Sequence, residues 1–118
     1  MINKREIGAR YEEIASKYLQ NMGYTILDRN YRCHKGEIDI IARCGDVIVF
    51  VEVKYRINNL KGDPAEAVTK SKQRTISKVA EYYLLEKYGT TDIACRFDVV
   101  SVLEDEIVHY ENAFDYTP

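Results

Sequence analysis

Apolar residues recur at offsets of three and four through Ile7, Tyr11, Ile14, Ala15, Tyr18, Leu19 and Met22, which predicts an amphipathic helix over residues 3–22, stopped by Gly23. The period then shortens. Strands are expected over 24–31 (YTILDRNY), 37–42 and 47–55, the last holding the most apolar run of the chain, VIVFV. After the polar RINNLKG, Asp63-Pro64-Ala65-Glu66 combines a capping residue, a proline at the first helical position and a capping box. That predicts a second helix from 63 to about 88, ending before Gly89, with an apolar stripe of Val68, Ile76, Val79, Ala80, Tyr83 and Leu84. Two strands, 93–103 and 107–114, close the chain around the acidic turn Glu104-Asp105-Glu106. The order is α-β-β-β-α-β-β. A helix between two strands favours a right-handed crossover, so the strand around 97–102 should lie parallel to VIVFVEV in one mixed sheet flanked by helices.

Composition narrows the class. With 118 residues, 46% apolar and 31% charged, and no repeat or low-complexity tract, residues 1–118 are expected to form a single domain. No run reaches the ~20 apolar residues of a membrane span, and MINKREIGARYEE holds no apolar signal region, so a cytoplasmic protein without membrane association is expected. Cys33, Cys44 and Cys95 are odd in number and lack CxxC spacing, which points away from a disulfide framework or a zinc ribbon. Charge is uneven although the net value is −2. Between Lys54 and Lys78 seven basic residues face two acidic ones, whereas Asp98, Glu104, Asp105, Glu106, Glu111 and Asp115 make the tail acidic. The basic segment reads either as a solvated helix face or as an anion-binding surface.

The third strand contains an anomaly, because VIVFV runs straight into Glu52-Val53-Lys54. Charges in apolar strands need partners or a task. Gly45-Asp46 suits a two-residue hairpin loop of the II′ kind, which pairs Cys44 with Val47. That register sets Asp39 opposite Glu52 and Glu37 opposite Lys54, with opposed side chains on one face roughly 4.5–5.5 Å apart at Cβ. Val47, Val49, Val51 and Val53 form the other face. Opposed carboxylates repel, and a divalent cation removes the conflict; carboxylate oxygens suit Mg²⁺ or Mn²⁺. With Lys54 beside them to hold an attacking water or neutralise a phosphate, these parts fit metal-assisted phosphodiester hydrolysis. The competing reading is an ion-pair network at the sheet end. Two further positions bear on it. Glu12 lies on the border of the first helix's apolar stripe, unlike Glu13, which faces solvent near Arg10 and Lys17. Lys72 and Gln73 interrupt the second helix's stripe, where a snorkelling lysine is the plain alternative.

GEIDIIA, VFVEVKYR, AVTKSKQ, RFDVV at 96–100 and the closing AF at 113–114 resemble the YraN family of uncharacterised, endonuclease-like bacterial proteins over nearly the whole chain. The resemblance implies a place in the PD-(D/E)XK superfamily, whose restriction-endonuclease-like αβββαβ core matches the order above. Carried over by motif, Asp39 takes the first acidic position, and Glu52 and Lys54 the (D/E)XK pair. Glu12 takes the first-helix glutamate that resolvase-like members add to the metal site. Lys72 and Gln73 fall where related nucleases place supporting residues, with Glu37 nearby. The chain departs at Tyr11, where the family usually has a glycine, and at Ile38, which takes the place of the proline in the PD motif.

The reading that results is a Mg²⁺- or Mn²⁺-dependent nuclease acting on DNA, branched or otherwise structured DNA included. Asp39 and Glu52 hold the metal, Glu12 assists and Lys54 positions the nucleophile. Arg56, Lys61, Lys70, Lys72 and Arg74 contact phosphates. The alternative is a nucleic-acid-binding or assembly module that keeps the fold without turnover. Resolvases act on two strands, so a homodimer is implied by resemblance, although the chain shows no dimer-specific feature.

Overall fold

The computed structural model describes residues 3–56, 68–104 and 106–118, with Lys4 and Arg56 described by their backbone. The elements are α1 (Lys4–Asn21), β1 (Thr25–Cys33), β2 (Gly36–Cys44), β3 (Val47–Arg56), α2 (Lys70–Tyr88), β4 (Cys95–Leu103) and β5 (Glu106–Phe114). Their order is the α-β-β-β-α-β-β read from the sequence. The first six elements supply the restriction-endonuclease-like αβββαβ arrangement, a mixed sheet flanked by helices, and β5 extends it. No helix among the described residues is long and apolar enough to cross a membrane.

The five strands stand in sequential order. β1, β2 and β3 are antiparallel neighbours, β3 and β4 are parallel from Ile48–Cys95 to Arg56–Leu103, and β5 returns antiparallel to β4. The parallel pair is the one the intervening helix predicts. Asn3 caps α1 by accepting the Glu6 N–H at 2.8 Å, and Gly23 at φ 95° ends it, as its position in the sequence suggests.

The second helix starts later than expected. Thr69 is extended, and its hydroxyl accepts the Lys72 N–H at 3.1 Å, so α2 begins at Lys70 and is not continuous from 63. The expected cap Asp63, with Pro64 and Glu66, lies outside the described residues, as does Lys61. Val68 is nevertheless buried beside the helix, tethered by a hydrogen bond from Gln73 Nε2 to its carbonyl at 2.9 Å.

The helices cover opposite faces of the sheet. α1 packs Ala15 and Leu19 on Ile40, Ala42, Val49, Val51, Val100 and Val102, so the valine face is core as expected. α2 packs Ile76, Val79, Ala80 and Tyr83 on Ile38, Ile41, Phe50, Phe97 and Val99. Phe50, Phe97 and Phe114 stack across three strands, with centroids 5.6 and 5.1 Å apart. Gly36 is the close-approach point for α2. Its φ of 149° is rare for other residues, and a Cβ there would lie 2.6 Å from Thr75 Cγ2.

Candidate active site

The β2–β3 hairpin turns as the sequence predicts. Gly45 has φ 60° while Asp46 has none of the positive φ that a I′ turn would demand, and the register runs from Cys44–Val47 to Ile40–Val51. There the ladder stops, one pair short of Asp39–Glu52. A continued ladder would aim the Val53 N–H at the Ile38 carbonyl. It donates instead to Asp39 Oδ2 at 2.8 Å. The cause is a kink shared by β1 and β2. Asn30 is left-handed at φ 54°, and on either side of it Arg29–Ile40 and Tyr31–Ile38 remain paired. Ile40 joins the α1-side core and Ile38 the α2-side core, although residues two apart in a regular strand share a face.

This kink corrects the expected cluster. Asp39 and Glu52 do meet, but Glu37 does not face Lys54; it turns to β1 and pairs with Arg32 at 3.3 Å. Asp39 is anchored between the two sheet faces, while Glu52, like Ile48 and Phe50, faces α2. Only 7% of Glu52 is exposed, and its Oε2 has no hydrogen-bond donor among the described residues. Lys72 Nζ stands 3.5 Å from that oxygen at ion-pair distance, outside hydrogen-bonding geometry. Lys72, a supporting position by resemblance, thus stands beside Glu52 with its side chain partly exposed.

Burial pushes the Glu52 carboxyl up to about 8. A hydrogen bond with Asp39 and the Asp39 charge add to this, and Lys72 and Lys54 oppose it. In the metal-free protein Glu52 therefore holds its proton well above the usual carboxylate range. Lys54 is half-buried, one strand step from Glu52 on the same face.

Glu12 reaches the region from the other side. Its carboxyl is raised, first by burial and then by the Asp39 charge, with Glu37 adding to the shift; a hydrogen bond from Asn30 and the Arg29 charge act against it. It lines an open cleft of about 470 Å³ with Arg5, Gly8, Asn30, Arg32 and Glu37. Glu13, expected near Arg10 and Lys17, instead bonds Arg29 of β1 at 2.7 Å. Asn30, Arg5 and Arg32 were not singled out in the sequence. Only Asn30 left a signal, as a residue type that tolerates the left-handed region in a strand.

On α2, Lys70 and Arg74 are exposed and Lys72 is 42% exposed by side chain. Gln73 is buried. It donates to Val68 O, and its Oε1 accepts from Thr117 Oγ1 at 3.3 Å, so it secures the chain near α2. Arg56 contributes its backbone to β3; its side chain, like Lys61, lies outside what is described.

A second buried acid was not recognised. Asp98, counted in sequence with the acidic tail, is fully buried on β4. It accepts from Arg96 Nε at 3.0 Å and the Asn112 N–H at 3.0 Å, and its Oδ2 lies 2.7 Å from His109 Nε2. Arg96 also donates to Tyr24 Oη at 2.6 Å. Burial acts to raise the Asp98 carboxyl, but His109, the Asn112 N–H and Arg96 outweigh it and hold it below the usual value.

Among the described residues no three Asp, Glu, His or Cys side chains gather closely enough to hold a metal ion between them. The pair still fits one. Magnesium takes one or two protein carboxylates and fills its remaining positions with water and phosphate oxygens. A buried carboxylate oxygen without a donor, opposite a second carboxylate, is that donor set.

Similar proteins are found among bacteria. A UPF0102 protein of Lachnoclostridium phytofermentans is 53% identical over 114 residues, covering 97% of each chain. One from Geobacter sulfurreducens is 46% identical over 114 residues, 92% of this chain and 88% of its own. Pyrococcus furiosus SfsA, solved in complex with Ca²⁺, aligns with a TM-score of 0.40 and 17% identity over 94% of this chain; this chain spans 64% of that one. The description "Uncharacterised protein family UPF0102" matches residues 11–102, and this chain, with its YraN-like motifs, belongs to that family.

Proposed function

We propose that this protein is a Mg²⁺- or Mn²⁺-dependent nuclease of the PD-(D/E)XK type that hydrolyses DNA phosphodiester bonds, with branched or structured DNA as substrate. The observation that carries this reading is the Asp39–Glu52 pair, a buried acid with an orphan oxygen held against a second acid that the backbone has fixed in place.

Asp39 and Glu52 would hold the cation, which supplies charge stabilisation at the phosphoryl group and a water of lowered pKa. This chain's own residues do the rest. The Val53 N–H fixes Asp39, so the pair does not relax apart. Lys72 and Lys54 favour ionised Glu52 and leave positive charge beside the phosphate. Lys54 shares the Glu52 face and would orient the attacking water. Glu12, held by Asn30, faces the same Asp39 from α1 and would accept a proton through water. Lys70 and Arg74 extend the positive field along α2.

The test is a cleavage screen over single-stranded, duplex, flap and four-way-junction DNA with Mg²⁺ or Mn²⁺, run beside Asp39→Ala and Glu52→Ala. Cutting by the wild type alone supports the proposal; no cutting, or equal cutting by the variants, ends it. The separation of Glu12 from a three-carboxylate set favours a second reading, a DNA-binding or assembly module without turnover. Calorimetry separates the two: metal binding abolished by Glu52→Ala belongs to the nuclease, and metal-independent DNA binding alone belongs to the module.

A further inference from the structure

Tyr11 and Tyr55 stack face to face at the C-terminal end of β3. Their ring centroids are 4.9 Å apart and their planes differ by 2°. The two tyrosines differ in what lies around them. Tyr11 packs against the α1-side core, whereas Tyr55 belongs to neither core cluster and is 39% exposed with one ring face already covered. An aromatic ring left open on a strand while a second ring holds its orientation from behind is expensive to leave in water and inexpensive to cover with a third ring.

The position of the pair says what that third ring is. Tyr55 directly follows Lys54 and lies three steps along the strand, about 10 Å, from Glu52. Tyr11 directly precedes Glu12. By strand alternation Tyr55 faces α1, the side on which Arg5, Arg32 and Glu12 line the open cleft. A flat apolar surface on the α1 face, whose two rings directly adjoin Glu12 of that cleft and Lys54 of β3 in the chain, matches the base of a nucleotide whose phosphate meets the proposed cleavage site. Duplex bases are already stacked and present only their edges, so the ligand is an unpaired nucleobase.

We propose that the Tyr11–Tyr55 stack is a docking platform for an unpaired nucleobase on the α1 face of the sheet, three residues along β3 from Glu52, so that the enzyme engages DNA where strands separate. The inference rests on the nuclease reading for its ligand class, but it is tested without catalysis. Binding is measured by fluorescence anisotropy in EDTA for a labelled single-stranded oligothymidylate and for an abasic strand of equal length and charge. The wild type should prefer the base-bearing strand by about tenfold or more. Tyr55→Ala should lose that preference while binding the abasic strand as before, and Tyr55→Phe should keep it. Cross-linking of 5-iododeoxyuridine DNA to the wild type, mapped by mass spectrometry, should label Tyr55 or Tyr11, a readout that does not depend on any variant folding. Equal affinity of the wild type for the two strands, or equal losses for both in Tyr55→Ala, overturns the platform and leaves the cleavage screen to judge the nuclease. Base-dependent binding in a protein that cuts nothing supports the platform and removes the nuclease.

Discussion

Replacing Glu52 with glutamine changes one oxygen for an amide nitrogen in the buried pair, and its effect on stability follows from the raised carboxyl. The group moves from 4.5 to about 8 on folding, so it holds its proton more tightly in the native state. Ionising it there costs about 5 kcal/mol more than in the unfolded chain. A raised folded value means stability that is fully present below pH 4.5 and is lost as pH rises through about 8. In metal-free protein this one group should remove about 2–3 kcal/mol between pH ~5 and ~7, with a further ~1–2 kcal/mol by pH ~9. Glu52→Gln cannot titrate, and its amide can donate to Asp39, so its profile should lack that fall and exceed the wild type above neutral pH. Urea unfolding midpoints at several pH values in EDTA measure both curves, and their difference isolates the site. Mn²⁺ should restore the wild type at high pH through ionised Glu52 and leave the glutamine variant unchanged. Parallel curves for the two proteins, or a wild type that gains stability from pH ~5 to ~7 while the variant follows it, would refute the reasoning.

Gly36→Ala adds a Cβ 2.6 Å from Thr75 Cγ2 at φ 149° and should cost about 1–3 kcal/mol in urea unfolding. Asp98→Ala leaves Arg96 and His109 facing a buried void and should cost about 3–5 kcal/mol by the same measurement. Because Asp98 is held below 3.8, the stability it supplies is present above that pH and disappears as pH falls through its folded value. Lys72→Met removes the cation 3.5 Å from Glu52, so calorimetric Mn²⁺ binding should need a higher pH, while metal-free stability at pH ~7 changes by less than about 1 kcal/mol.

The parts of the fold set by periodicity and turn chemistry could be read from the chain. Gly45-Asp46 fixed the hairpin register as far as Ile40–Val51, and the helix between β3 and β4 predicted their parallel pairing. The site followed only in part. Asp39 and Glu52 were legible because two acids in neighbouring apolar strands converge by arithmetic. The Asn30 kink was not, since it swaps faces in two strands at once without disturbing either hydrophobic run, and it sent Glu37 to Arg32. The start of α2 was misread because a local capping signal at Asp63 is stronger on paper than Thr69, whose hydroxyl caps the helix described here. Tyr11 and Tyr55 lie 44 positions apart, and no local pattern shows that their rings meet.

Glu52 and Asp98 carry the same mark in sequence, an acid within an apolar strand, and tertiary structure gives them opposite roles. Asp98 is surrounded by Arg96, His109 and the Asn112 N–H, and its carboxyl is held low. Glu52 has another acid, an orphan oxygen and a lysine outside hydrogen-bonding geometry, and its carboxyl is pushed up. A site that serves stability should satisfy its buried charge, and a site that serves a ligand should leave the charge to be satisfied by that ligand. The neutral isosteres therefore should shift stability in opposite directions in metal-free protein at pH ~8: Glu52→Gln upward and Asp98→Asn downward. Saturating Mn²⁺ should reverse the sign for Glu52→Gln alone, since only that variant forfeits a ligand. Two losses of similar size, indifferent to Mn²⁺, would make Glu52 a structural acid like Asp98 and remove the ground for placing a metal on β3.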